Sequence, residues 1–411
     1  MAGIRTLRVW LFAALATALL PVTAYADPPA DQASAMHDPM SILPTPPSDK
    51  FYTPPPGFEQ KPLGAVLSAR SAGGLFPTAR VLQLLVRSSD SHDFPAAVVT
   101  TLLIPHAPWK GAGSRPLISF NIPISSLGNG CAPSKELTSG VSADFLSIQL
   151  LLARGWAVIV PDHQGPKQAY AAGLMGGHAV LDSIRAAISA PMPGLGPATP
   201  VVLTGYSGGA IATSWAAQLA GTYAPEIRLA GSMIGGGPVD YQLLLASMNG
   251  VNFASGVLLA ATLGLAREYP ELLGLLNENG WRLARVFRDI CIGQEGALGV
   301  VAPVRIAQLT NVPDPMNLPM VQRILAENRP GGVAPNAPVF LFHGVNEIWI
   351  PYSGARNLYN EWCAKGARVR LQPMPGEHFI AGALSIPLTG FWIEDLLAGK
   401  LVPPGCTTPG H

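Results

Sequence analysis

Gly205-Tyr206-Ser207-Gly208-Gly209 constrains this chain more than any other stretch. The apolar run Pro200-Val201-Val202-Leu203-Thr204 precedes it, and the small-residue stretch Ala210-Ile211-Ala212-Thr213-Ser214-Trp215-Ala216-Ala217 follows. G-x-S-x-G in that setting asks for a strand, a tight turn and a helix on consecutive residues. A serine hydroxyl is a poor nucleophile unless a sharp turn exposes it, a base sits beside it and backbone donors face the oxyanion. Glycine at 205 and 209 removes side chains where strand and helix crowd the turn. With 44 glycines among 411 residues the pentad alone arises easily by chance, so its flanks carry the weight.

The chain is 48% hydrophobic and 12% charged, which is too apolar for an unfolded chain and long enough for a sizeable core. Arg5 and Arg8, the apolar run Val9 to Leu20 and Ala24-Tyr25-Ala26 read as a signal peptide over residues 1–26, cleaved near Ala26. The expected location is outside the cell or in a periplasm. Cleavage removes two arginines and no acid, so 26 basic and 25 acidic residues become 24 and 25. That balance gives no footprint for nucleic acid or an acidic membrane surface. Cys131, Cys291, Cys363 and Cys406 all lie in the mature part. An even count in an exported chain implies two disulfides, with three pairings open, and no C-x-x-C spacing suggests zinc or redox use. We expect no metal and no cofactor.

Residues 27–57 form a proline-rich arm. Val81 to Arg87 and Pro95 to Pro105 read as paired strands around Ser89-Asp90-Ser91. Short apolar strands at 116–120, 156–162, 201–203, 338–343 and 367–371 then alternate with helical stretches, including 141–153 and 175–189. This implies a mostly parallel central sheet flanked by helices, and with the elbow it predicts an α/β-hydrolase fold. Between about 238 and 336 the alternation breaks into helical segments, expected at 242–247, 254–268, 271–275, 281–289 and 321–327. The expected organisation is core at 58–237, an inserted helical cap at 238–336 and core again at 337–411. Val257 to Leu265 is very apolar and serves either as cap core or as a wall for an acyl chain.

In this fold the order along the chain is nucleophile, acid, base, each after a strand. Of the histidines, only 343, 378 and 411 follow Ser207. His411 is terminal, and His343 closes a strand and would leave the acid to the cap. His378, in Pro375-Gly376-Glu377-His378-Phe379, lies after the last strand and is the expected base. Glu347 is the one carboxylate in the loop after strand 338–343, with Asp314 and Asp289 as outside candidates; Glu377 reads as a loop stabiliser. The acid would orient the imidazole and stabilise its protonated form. Gly208 supplies one oxyanion N–H at a helix N-terminus. Pro123 has none, so Ser125 is the choice for the second.

Several stretches together resemble the secretory, lipase A-like α/β-hydrolases of fungi and bacteria. They are Asp49 to Pro55; Cys131-Ala132-Pro133-Ser134; Gly155-Trp156 to Gly165; Val180 to Ala187; Gly205 to Gly209; His343-Gly344 to Tyr352; Trp362 to Gly366; and Gly376-Glu377-His378. The resemblance covers the chain from about residue 49 onward. It implies a secreted serine lipase or esterase with a helical cap and no metal. The family's nucleophile falls on Ser207, its base on His378 and its acid on Glu347, where members usually carry aspartate. Its loop oxyanion donor falls on Ser125, where aspartate is frequent. Its disulfide pattern suggests Cys131 with Cys291 and Cys363 with Cys406.

The expected reaction is hydrolysis of an acyl ester or triglyceride through an acyl-enzyme, with transient contact at a lipid interface. Its rivals are an acyltransferase, a polyester or cell-wall ester hydrolase with the same triad, and a non-catalytic exported binding protein of the same fold.

Overall fold

A computed structural model describes residues 37–408 apart from 74–75, 124–125, 141, 190–191, 252–253 and 401–404. The expected signal peptide, Ser125 and His411 lie outside the described residues. The chain divides into a unit Met1–Ser41, of which only 37–41 are described, and a unit Ile42–His411 that carries everything below.

Nine strands among the described residues form one sheet: β1 (Val66–Ser71), β2 (Ala79–Ser89), β3 (Pro95–Pro105), β4 (Leu117–Asn121), β5 (Ala157–Pro161), β6 (Val201–Tyr206), β7 (Leu229–Gly235), β8 (Val339–Gly344) and β9 (Val369–Met374). Their spatial order is β1-β2-β3-β5-β4-β6-β7-β8-β9. β1, β2, β3 and β5 pair antiparallel, and from β5 to β9 every pairing is parallel. The hairpin β2–β3 runs in register from Ala79↔Pro105 to Ser89↔Pro95. β1 carries exposed and half-buried side chains with no clean alternation, which is why the sequence did not reveal it.

β5 is buried along its whole length and β4 and β6 nearly so, as a sheet covered on both faces requires. Alternate side chains go to opposite sides. Leu117, Ala157, Ile159, Val201 and Leu203 pack against helices Gly173–Ser189 and Gly208–Tyr223. Ile118, Val158, Val160 and Val202 share the other face with helices Phe145–Ala153 and His378–Leu397. Leu203 is fully buried, so Leu203→Ala should cost about 2–5 kcal/mol of stability, read from urea unfolding.

Between β7 and β8 lie helices Tyr241–Met248, Ser255–Glu268, Glu278–Phe287, Ile292–Val301 and Pro319–Glu327. The expected segment 271–275 is a 3-10 helix, Pro270–Leu275, with Pro270 in its first turn. The helix at 292–301 escaped the sequence reading because three glycines, at 293, 296 and 299, and a half-exposed apolar pattern blur its period. Leu244, Met248, Leu259, Leu263, Trp281 and Phe287 of these helices share one apolar core with Tyr170, Ile211, Trp215 and Trp349 of the body. Arg267 anchors the helices. Although buried, its guanidinium donates to the carbonyls of Ile42, Leu127, Lys167, Gln168 and Arg288. Burial lowers its pKa to about 9, against the pull of Asp289 and Glu295, so it stays charged at neutral pH. Disulfides join Cys131 to Cys291 and Cys363 to Cys406, the first linking the loop after β4 to this helical segment.

Candidate active site

The carboxyl ends of β6, β8 and β9 converge. β6 ends at Tyr206, and Ser207 turns the chain with φ 53° and ψ −125° before the helix Gly208–Tyr223 begins. A left-handed serine costs energy, and the packing around it must hold it there. Its amide donates to Gly235 O at 2.9 Å, and its own carbonyl accepts from Ala210 N at 3.0 Å. The flanking glycines are steric necessities. A Cβ at 209 would stand 2.0 Å from Asn121 O, and one at 205 would stand 2.2 Å from Thr213 Oγ1. Gly209→Ala should therefore push the helix away from β4, costing more than about 2 kcal/mol by denaturant unfolding. Unchanged stability would mean that the two elements separate easily.

His378 opens the helix that follows β9. Its Nε2 is 2.9 Å from Ser207 Oγ, and its Nδ1 is 2.7 Å from Glu347 Oε2. Glu347 Oε1 accepts from Trp349 N at 3.0 Å, so both carboxylate oxygens are engaged. The Glu347 side chain is wholly buried. Burial pushes its pKa up, but the bond and charge of His378, the Trp349 amide and His343 outweigh that, and the net shift is downward. The acid stays ionised. Tyr206 braces the ring, donating its hydroxyl to His378 O with ring centroids 5.1 Å apart. Glu377 caps the helix, accepting from Phe379 N and Ile380 N at 3.0 Å each.

The alternative residues are engaged elsewhere. His343 is buried and its Nε2 donates to Ile350 O at 2.7 Å, with burial depressing its pKa. Asp289 accepts from the amide and hydroxyl of Thr45 and pairs with Arg288. Asp314 accepts from Asn317 Nδ2.

Sequence reading named Ser125 on the loop after β4, which is not described, but it missed the apparatus around its neighbour. Ser126 is left-handed, at φ 97°. Gln164 grips its backbone twice, through Oε1 to the amide at 3.3 Å and through Nε2 to the carbonyl at 3.0 Å. Its hydroxyl is hydrogen-bonded to Glu295 Oε1. It also bridges to Cys291, and the next carbonyl, Leu127 O, accepts from Arg267. His163 Nε2 donates to Ile122 O at 2.8 Å on the same loop. A lone glutamate on an apolar helix was the available signal.

Glu295 is fully buried, and desolvation raises its pKa to about 8 despite Ser126, Leu127 and Arg267. Folded, it holds its proton from its ordinary range up to about pH 8, whereas the unfolded chain has released it. Stability therefore falls as pH rises through that window. Asp144 and Asp162, each pushed up to about 7 chiefly by burial, act in the same direction. Glu295→Gln should shrink the loss of unfolding free energy between pH 5 and pH 8 by on the order of 1–3 kcal/mol. An unchanged loss, measured by urea unfolding at both pH values, would mean that Glu295 is ionised in the folded protein.

Ser207 and His378 open into a cavity of about 1210 Å³. Its wall is largely apolar: Val257, Leu258 and Ala261 from helix Ser255–Glu268, with Ile211, Leu244, Met248, Trp349 and Ile350. The greasy run 257–265 thus divides, because one face lines the cavity while Leu259, Ala260 and Leu263 fill the apolar core. Among the described residues no cluster of three or more His, Cys, Asp or Glu could hold a metal.

Residues 131–404 match the family model described as secretory lipase. The chain belongs to the secretory lipase family. It is 33% identical to a secreted triacylglycerol lipase of Malassezia furfur, over 89% of this chain and 82% of the relative. It is 32% identical to a Mycobacterium tuberculosis protein named "Probable inactive lipase", over 86% and 83% respectively. The crystal structure of Candida antarctica lipase A superposes with a TM-score of 0.82 at 28% identity, covering 89% of this chain and 90% of that one. This secretory lipase has the α/β-hydrolase fold and is a carboxylic ester hydrolase of the lipase type, from a family of secreted enzymes.

Proposed function

We propose that Ser207, His378 and Glu347 are nucleophile, base and acid in the hydrolysis of medium- or long-chain acyl esters, triacylglycerol among them. The observation that carries this reading is the ring of His378, hydrogen-bonded at once to Ser207 Oγ and to Glu347. Ser207 Oγ attacks the ester carbonyl carbon while its proton passes to His378 Nε2. The Gly208 amide, at the helix N-terminus, and the Ser125 amide hold the oxyanion. As the intermediate collapses, the imidazolium gives its proton to the leaving alcohol oxygen and the acyl group stays on Ser207. Water attacks that ester, His378 takes its proton, and the acid departs as Ser207 recovers a hydrogen. Glu347 holds the imidazole in the right tautomer and stabilises its charge.

Residues 238–336 act as the cap, and the cavity beneath takes the acyl chain. Its volume exceeds that of ordinary small-molecule sites, which favours a long flexible substrate. The mature enzyme begins after cleavage near Ala26 and meets lipid transiently.

A relative named inactive makes active-site labelling the decisive test. The purified protein should react with a fluorophosphonate probe at Ser207, and turnover should rise along a series of p-nitrophenyl esters of increasing chain length and extend to emulsified triglyceride. A protein that neither labels nor hydrolyses any ester would be a binding protein on this fold.

A further inference from the structure

The helix His378–Leu397 carries its base on one face and an unusual stripe on the other. Ala381, Ser385, Gly390 and Ile393 turn inward. The outward stripe is Phe379, Ile380, Ala383, Leu384, Pro387, Leu388 and Phe391, all exposed and all apolar. These positions follow the i, i+4 spacing of one helical face over about 18 Å. Phe379 is 66% exposed, Ile380 52%, Leu384 46% and Phe391 61%. No Asp, Glu, Lys or Arg occurs from 378 to 393, and Glu394 and Asp395 end the stripe. An ordinary surface helix turns its polar residues outward, so this one is inverted. Leu146 on helix Phe145–Ala153 and Ile348 beside Glu347 are likewise exposed, at 60% and 61%. Between the two helices runs a groove of about 600 Å³ lined by Leu150, Ala383, Pro387 and Phe391.

We propose that this stripe is the surface by which the enzyme docks, lying flat, on the uncharged interface of an emulsified ester. Two observations choose that occupant. The patch is continuous with the catalytic cavity, since Phe379 lines both the cavity of Ser207 and the groove. It also carries no cation to meet anionic headgroups; Arg154, on the groove's edge, is paired with Glu394. The helix is long and apolar enough to cross a membrane, but its first residue bonds Ser207 and Glu347, so it lies along the interface rather than through it. Phe379 and Ile380 then enter the ester phase beside the cavity mouth, and substrate passes to Ser207 without crossing water.

The inference rests on the ester-hydrolase reading above, and the experiment separates the two. Mature enzyme, from Asp27 onward, is assayed on dissolved p-nitrophenyl acetate and on a triolein emulsion, and flotation with the emulsion is measured. Leu384→Glu combined with Leu388→Glu should lower emulsion turnover and flotation by about tenfold or more while dissolved-ester turnover stays within about twofold. Leu384→Gln with Leu388→Gln should give a smaller loss of the same kind, and Val286→Glu, exposed on helix Glu278–Phe287, should change nothing. Flotation should be insensitive to salt. Unchanged flotation in the Leu384/Leu388 variants would overturn the docking face while leaving the hydrolase reading intact. So would binding that requires anionic lipid, or a dimer that these variants dissolve. Absence of turnover on both substrates by the parent enzyme would instead remove the hydrolase reading.

Discussion

Ser207→Ala should lower ester turnover on the order of 10⁶-fold, the scale at which loss of a serine nucleophile disables a triad that works as a unit. The expected residue of activity is a slow background from the oxyanion donors and substrate binding. Folding should be intact. Alanine removes only the hydroxyl, whose sole described partner is His378 Nε2, and the turn around it is held by Gly235 O and by the glycines at 205 and 209. Initial rates on a p-nitrophenyl ester, active-site titration and an unfolding curve together check this. A variant that keeps more than about a thousandth of the activity would show that another group attacks the ester.

Glu347→Gln should lower kcat about 10³- to 10⁴-fold with little change in KM, since the acid acts on the imidazolium rather than on bound substrate. Glu347 accepts twice, from Trp349 N and from His378 Nδ1. A glutamine has one acceptor oxygen, so either the Trp349 amide is left facing an NH₂ group or His378 is driven into the wrong tautomer. Glu347→Asp tests reach instead of charge. The loop is set for the longer side chain, which reaches both Trp349 N and His378 Nδ1, and shortening it by a methylene should cost about 10- to 100-fold. A Gln variant within tenfold of the parent would mean that another carboxylate holds the ring.

The alternation of short apolar strands with helices made the parallel sheet readable, because each buried strand must be apolar on both sides. The pentad and its flanks made the elbow readable, because only glycine fits at 205 and 209. β1 and the helix Ile292–Val301 were not readable, since one is largely exposed and the other lacks a clear period. Neither was Glu295, whose meaning depends on Ser126, 169 positions earlier.

By itself the sequence determined the fold class, the turn at Ser207 and a short list of partners for it, since these follow from local sterics and strand-by-strand burial. The tertiary structure alone decided that His378 lies between Ser207 and Glu347, that the run 257–265 both fills a core and lines a cavity, and that the final helix faces outward with its apolar side. Those are distances across the sheet and between layers. They depend on how the strands and their helices pack together, and no spacing along the chain encodes them.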